Sequence, residues 1–268
     1  MSKIRPAFKC HGGKYYLADW IISHFPEDYA EHTYIEPFCG GANVLVNKEK
    51  SVLEAVNDLD LGIVNIFRAI RDESKEFARR LNLVKYCQET FDRAVKRDAT
   101  PAFEDYLDHA VNEYILRRMS RGGLRKALAW SNRQRGGQPG DVNAWKTALK
   151  MLPDLAERFR EVYIFNHPAI EVIKTFNTPK TFLYVDPPYL HETRQSKNVY
   201  STEMNVDAHI ELARVLNHFK GKVILSGYPS PLYARLYNNW TVEKKKIANH
   251  SSQEKSKEMK TEMIWKNW

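Results

Sequence analysis

A chain of 268 residues with 43% hydrophobic content can bury a sizeable core, which excludes wholesale disorder. Lysine and arginine number 41 against 33 aspartates and glutamates, and the net charge of +8 suits a polyanionic partner, although many basic proteins are merely soluble. Three scattered cysteines, Cys10, Cys39 and Cys87, exclude a disulfide framework and a cysteine zinc site.

Helical spacing of Leu17, Trp20, Ile21 and Phe25 follows a Gly12-Gly13 turn, and Pro26 closes that segment. A short apolar run, Thr33-Tyr34-Ile35, stops at Glu36-Pro37-Phe38-Cys39-Gly40-Gly41, and residues 42–48 read as the start of a helix. A second strand over 52–56 ends at Asn57-Asp58, and an amphipathic helix runs on toward Arg71. This strand, helix, strand order predicts a parallel sheet with helices on its faces.

Residues 73–119 are helical and charged, followed by loops at Gly122, Gly123, Gly136, Gly137, Pro139 and Gly140. Arg117, Arg118, Arg121, Arg125, Lys126, Arg133 and Arg135 fall here with no acidic residue among them. The region reads as an inserted helical module. A helix over 154–160 then precedes a strand over 162–165, and a helix over 169–176 precedes a strand over 181–185 that runs into Asp186. Val206, Ile210, Ala213, Leu216 and Phe219 share one helical face ahead of a strand over 222–226. Strands over 241–247 and 262–268, separated by a Ser- and Lys-rich loop, predict a hairpin at the sheet edge. Three segments result: 1–71, 72–150 and 151–268.

Three features fall where a strand ends and a loop begins, the place where open α/β sheets bind ligands. The small residues of the Glu36 to Gly41 loop either let the backbone approach a ligand closely or merely make a tight turn. Asp58 can accept both hydrogen bonds of a ribose diol, or it can cap the following helix. Asp186-Pro187-Pro188-Tyr189 follows a strand that reads as buried. Its two prolines fix φ and remove two backbone donors, so the Asp186 carboxylate and a proline carbonyl present an accepting surface, and Tyr189 offers a flat face. A carboxylate, a carbonyl and an aromatic plate suit a planar amine.

These motifs, in this order, resemble the Dam-like (D12 class, alpha group) DNA adenine-N6 methyltransferases, and among them the phage and bacterial DNA adenine methylases. The resemblance spans nearly the whole chain: Lys9-Cys10-His11-Gly12-Gly13-Lys14, the Glu36 to Gly40 loop, Asn57-Asp58, the 186–189 tetrad, residues 204–209, Leu225-Ser226-Gly227-Tyr228 and Ser230-Pro231-Leu232-Tyr233. It implies a Rossmann-like α/β sheet of the class I S-adenosylmethionine-dependent methyltransferases, with 72–150 as a helical target-recognition insert between a cofactor half and a catalytic half. It implies S-adenosylmethionine as cofactor, touched by Cys10, Gly12, Gly13, Lys14, Glu36, Pro37, Phe38, Gly40, Asp58, Asn166 and Asp186. Lys14 is expected near the methionine moiety and Asp58 on the ribose. Two departures stand out. Cys10 occupies a position usually aromatic in the family, and Asn166-His167-Pro168-Ala169 replaces an Asn-x-Asp-Ala turn, so Pro168 cannot supply the acidic contact to the cofactor base.

The expected partner is double-stranded DNA, with the target adenine flipped out and stacked on Tyr189. Asp186, Pro187, Pro188 and Tyr189 are the expected catalytic residues. The arginine run is either a solvated face or a phosphate-contacting segment, with Arg125 also a candidate guanine reader. His191 and Glu192 either line the flipped-base pocket or form a solvated loop, and Tyr34 and His109 read as ordinary structural residues. None of the cysteines follows proline, which excludes cytosine-C5 chemistry. Cytosine-N4 methylation and a catalytically silent DNA-binding relative remain as rivals. With no apolar leader and no run of roughly 18 apolar residues, no membrane segment is expected, and the expected location is the cytoplasm of a bacterium or phage-infected cell. No metal is expected, and a monomer is the default.

Overall fold

Segments whose apolar residues run without interruption become the centre of a sheet. A computed structural model of the chain describes residues 3–100, 102–131, 133–135, 137–193, 203–248 and 259–268. Its main strands are Thr33–Glu36 (β1), Leu53–Asn57 (β2), Val162–Phe165 (β3), Thr181–Val185 (β4), Lys222–Gly227 (β5), Thr241–Ala248 (β6) and Met259–Lys266 (β7). They form one seven-stranded sheet in the order β3-β2-β1-β4-β5-β7-β6. Strands β1 and β2, β1 and β4, and β4 and β5 pair in parallel, whereas β7 runs antiparallel to both β5 and β6. All five residues of β4 are buried, as expected of a parallel strand covered on both faces. The mixed α/β architecture is the expected Rossmann-like one, with the hairpin at one edge. Its second strand begins at Met259 rather than 262, and the polar loop expected before it lies outside the described residues.

Strand order changes direction between β1 and β4. In open α/β sheets the crevice beyond the carboxyl ends at such a switch point is where ligands bind. Here those ends carry Glu36 and Asp186.

The chain divides into two compact units, each discontinuous in sequence. One comprises Met1–Ser23, Cys39–Glu49 and Asp58–Asn166, and the other His24–Phe38, Lys50–Asn57 and His167–Trp268. In the first unit the helices are Ala18–Ile22 (α1), Leu61–Asp72 (α2), Ser74–Asn82 (α3), Gln88–Ala99 (α4), Tyr106–Met119 (α5), Gly140–Lys150 (α6) and Leu152–Phe159 (α7). The charged stretch expected to be helical over 73–119 is thus three helices. Helix α2 packs on α5 and α7, and Phe67 stacks on Phe159 with ring centroids 4.6 Å apart. The helix expected from residue 42 does not form beyond a single turn, Leu45–Asn47. Ala42 sits at φ 48°, and the Asn47 side chain donates to the Asn43 carbonyl while accepting from the Ile4 N–H. Such local side-chain bonds compete with helical ones.

The second unit holds helices Ala169–Thr175 (α8), Val206–Asn217 (α9) and Pro231–Leu236 (α10). Helix α10 starts at Ser230, whose hydroxyl accepts from the Tyr233 N–H, with proline at the first helical position. The buried face of α9 is His209, Leu212, Ala213 and Leu216, whereas Val206 and Ile210 are exposed. The apolar stripe expected there is rotated because His209 bonds through Nδ1 to the Tyr233 hydroxyl, at 3.0 Å, inside the core. Among the described residues no helix is long and apolar enough to cross a membrane, and no group of three or more His, Cys, Asp or Glu residues can hold a metal ion.

Candidate active site

In the first unit, the segment around Gly12 and the loop around Gly40 approach each other closely. Gly13 N–H turns back on the Cys10 carbonyl at 3.2 Å, and the buried Lys14 ammonium donates to the Gly12 carbonyl at 2.9 Å. Gly40 holds φ +48°, a region that favours glycine. A Cβ there would lie 3.3 Å from Cys10 Sγ, so the residue standing where the family usually has an aromatic ring packs on this loop. A Cβ on Gly13 would come within 3.1 Å of Asn43 Nδ2, and one on Gly41 within 3.0 Å. Asn43 was not among the expected site residues, although it follows directly on the Gly40-Gly41-Ala42 turn.

Asp58 organises this loop. Its Oδ2 accepts from Gly40 N–H and its Oδ1 from Asp60 N–H, both at 2.9 Å. The cap of α2 is Asp60, whose carboxylate accepts from the N–H groups of Gly62 and Ile63. The capping alternative for Asp58 is therefore overturned. Burial, and secondarily the charge of Asp60, push the Asp58 carboxyl up from 3.8 to about 6, against the pull of its two N–H bonds and Arg117. Asn166 donates through Nδ2 to the backbone carbonyls of Asp58 and Leu59, at 2.8 and 3.2 Å, so it braces this turn.

The arginine run divides. Arg117 is buried, and its guanidinium bonds the Asp60 carboxylate at 2.6 Å and Glu113 at 2.9 Å. That departs from the expectation of a phosphate contact, and the reason is that carboxylates absent from the run in sequence reach it from α5 and the cap of α2. Arg125 likewise pairs with Asp98 at 2.5 Å and Glu113 at 2.8 Å. Arg118 is half-buried and donates to the Ala144 carbonyl. Arg121, Lys126 and Arg133 are exposed, while the side chain of Arg135 lies outside the described part. Lys9, which was not an expected site residue, donates to the Ser120 carbonyl, and burial together with Arg118 lowers its ammonium to about 8.

In the second unit, the end of β1 presents Glu36, 1% exposed, which accepts from the Tyr34 hydroxyl at 2.8 Å. Tyr34 is thus tied to a site candidate rather than serving only as core. The Asn57 amide bonds the Pro37 carbonyl and both backbone groups of His167, at 2.9 to 3.0 Å. It pins the loop that carries Glu36, Pro37 and Phe38. The end of β4 presents Asp186, half-buried, with Pro187 buried and Pro188 half-buried.

Tyr189 is 6% exposed; its hydroxyl donates to Glu262, and its ring meets Tyr228 edge-on at 4.7 Å. Burial, the Asp186 carboxylate and then Glu262 push the Tyr189 phenol well above its ordinary value. Tyr228 also walls a cavity of about 420 Å3 with Glu192, Thr193, Ser230 and Lys260, within the roughly 300–1,000 Å3 range of small-molecule sites. Lys260 Nζ stands 5.1 Å from the Tyr228 ring centroid. His191 pairs with Glu203 at 3.5 Å. Glu262 and Lys260 were not among the expected site residues, because only the sheet register brings β7 to the tetrad tyrosine and its neighbours; Tyr228, which follows β5, was quoted in a motif but given no site role.

The family model of the D12 class N6 adenine-specific DNA methyltransferases matches residues 11–259. Among curated proteins, the chain is 21% identical to Type II methyltransferase M.MjaIII of Methanocaldococcus jannaschii, over 90% of this chain and 91% of that one. It is 26% identical to Modification methylase StsI of Streptococcus sanguinis, over 68% of this chain and 28% of that protein. A DNA adenine methylase of Serratia marcescens is 27% identical over 44% of this chain and 35% of that one.

Proposed function

The chain belongs to the D12 class N6 adenine-specific DNA methyltransferase family, and from that premise we propose that it moves the methyl group of S-adenosylmethionine to N6 of an adenine flipped out of double-stranded DNA. The observation that carries the proposal is the position of Asp186-Pro187-Pro188-Tyr189, leaving a fully buried strand at the switch point of the sheet.

The amine of adenine is a poor nucleophile because its lone pair is delocalised into the ring. The Asp186 carboxylate and the Pro187 carbonyl accept its two hydrogens, so nitrogen moves toward sp³ and the lone pair becomes available. Residues 187 and 188 carry no N–H, so they offer no competing donor. Asp186 needs no high basicity, since the proton becomes acidic only as the new N–C bond forms. Catalysis is then mostly positioning and electrostatics. Tyr189 and Tyr228 supply aromatic surface for the base.

The Gly12–Lys14 segment, the Gly40 loop and Asp58 suit the methyl donor: a tight glycine cradle, an ammonium and a carboxylate with lone pairs beyond its two backbone bonds. When bound, that donor supplies a sulfonium methyl. Lys14 serves the methionine carboxylate end and Asp58 accepts from the ribose diol. Residues 72–150 serve target recognition, with Arg121, Lys126 and Arg133 toward phosphates. Mass spectrometry of nucleosides after incubating the protein with DNA and S-adenosylmethionine tests the whole reading. N6-methyladenine is expected; N4-methylcytosine, or no methylated base, overturns it.

Two further outcomes follow from the site. Asp58 must be ionised to accept two hydroxyls, and its carboxyl titrates at about 6. Equilibrium binding of S-adenosylmethionine therefore weakens as pH falls through that value. Asp58→Asn binds at least about tenfold more weakly at pH 8, the loss of roughly one charge-assisted bond, and shows no such pH dependence. Unchanged affinity in the variant removes Asp58 from the ribose.

The double variant Arg121→Ala, Lys126→Ala tests the DNA face. For each phosphate that is no longer neutralised, the slope of log K against log salt should fall by about 0.9. An unaltered slope places these two side chains on a merely solvated surface.

A further inference from the structure

We propose that Glu262 is a positioning residue for methyl transfer: its buried carboxylate holds the Tyr189 hydroxyl and thereby sets the plane of the ring on which the acceptor base stacks. The proposal rests on the reading of Tyr189 as the stacking partner of a flipped adenine.

Glu262 lies on β7, at 2% exposure, beside Met263, Ile264 and Trp265, all of which are buried. A carboxylate taken out of water needs compensation by hydrogen bonds and charge, and an apolar residue of similar size fills the same space without that penalty. The feature that a carboxylate supplies here, and leucine does not, is an acceptor for the Tyr189 hydroxyl. Burial and the carboxylates of Asp186 and Glu262 keep that phenol protonated, so it remains a donor.

Two anchors then act on one ring. The hydroxyl is held by Glu262, and the ring is packed against Tyr228, at 4.7 Å and 75°. Together they set the torsions about both rotatable bonds of the tyrosine side chain, and with them the tilt of its face. Tyr189 follows Asp186 by only three residues on a proline-stiffened loop. A base stacked on a fixed face presents its amine to the Asp186 carboxylate in one orientation, and small errors in that orientation are costly to rate. There is also an electronic consequence. A phenol bonded to a carboxylate is electron-rich, and the ring face favours a base that gains positive charge as its amine is methylated. Both effects act in the transition state more than in binding, so they belong in kcat rather than KM.

The test uses the full-length protein and a duplex in which the wild-type methylation position has been mapped by sequencing. Single-turnover methylation, S-adenosylmethionine affinity and 2-aminopurine fluorescence at the target position are measured for wild type, Glu262→Gln, Glu262→Leu, Tyr189→Phe and the paired variants. Glu262→Leu is expected to slow the single-turnover step at least about tenfold, with cofactor affinity within about twofold of wild type. Glu262→Gln, which still offers an oxygen to the hydroxyl, recovers part of the rate. In the Tyr189→Phe background neither Glu262 substitution slows the step further, and the fluorescence of the flipped 2-aminopurine changes alike in Tyr189→Phe and Glu262→Leu. Additive effects of the two positions, or a Glu262→Leu protein with wild-type rate, overturn the proposal. If Glu262→Leu does not fold, Glu262→Gln with and without Tyr189→Phe decides the same question. Absence of N6-methyladenine from the wild-type reaction overturns the underlying reading of the acceptor, which is distinguishable from additivity in an active enzyme.

Discussion

Asp186→Ala is expected to lower the methylation rate constant by about 10²–10⁴-fold, the range seen when one positioned acid–base or electrostatic group is removed. The side chain lies just beyond a strand whose five residues are all buried, and that apolar packing is untouched by the substitution. Thermal unfolding should therefore be little altered. Removing it takes away an acceptor for the amine and leaves only the Pro187 carbonyl, so nitrogen stays conjugated with the ring. Asp186→Asn is expected to fare little better, because one face of the amide is a donor that opposes the amine hydrogens. The measurement is single-turnover transfer of a labelled methyl group to DNA, with cofactor binding and unfolding followed in parallel. Turnover near wild type in Asp186→Ala removes the tetrad carboxylate from the mechanism. A loss of rate accompanied by an equal loss of folded protein assigns it to structure instead.

The elements most legible in the sequence are those in which local pattern and tertiary role coincide. The unbroken apolar run at 182–185 reads as a buried strand and is one, and its abrupt end at Asp186-Pro187 marks the carboxyl end of the strand because proline cannot continue the ladder. Asp58 and the Gly40 loop are visible for a similar reason: a carboxylate and small residues follow directly on short strands. What escapes is set by partners distant in sequence. The carboxylates that occupy Arg117 and Arg125 come from Asp60, Asp98 and Glu113, which no scan of 117–135 alone can associate with them. Glu262 is indistinguishable from a solvated hairpin residue until the β7 register places it beneath Tyr189. The face of α9 misleads because a histidine, polar in any hydropathy pattern, is buried by its bond to Tyr233.

The charge cluster in the first unit yields the sharpest contrast between reading a basic run as surface and reading it as structure. Arg117→Ala is expected to destabilise the protein by about 3–5 kcal/mol, the cost of breaking a buried ion pair from one side. The Arg117 side chain is 7% exposed, Asp60 9% and Glu113 2%, so solvent cannot replace the guanidinium once it is gone. Asp60 is also the cap of α2, and it would be left carrying an unbalanced charge while holding two backbone N–H groups. Glu113 retains Arg125, which limits the loss at that end. The pH dependence follows from the same geometry. Burial already raises the Glu113 carboxyl above its ordinary value, with Arg117 and Arg125 pulling it down. Without Arg117 it rises further. A carboxyl raised in the folded state favours folding at low pH, where it is protonated in both states, and that advantage disappears as pH increases through the folded value. The penalty of Arg117→Ala should accordingly be largest near neutrality and shrink on acidification. Urea unfolding of Arg117→Ala and Arg121→Ala at several pH values tests this, with Arg121→Ala expected within about 0.5 kcal/mol of wild type. DNA binding by whatever fraction of Arg117→Ala remains folded should keep the wild-type salt slope, since that guanidinium meets carboxylates and not phosphate. A fully stable Arg117→Ala protein with a slope reduced by about 0.9 would reverse the assignment and return Arg117 to the DNA face.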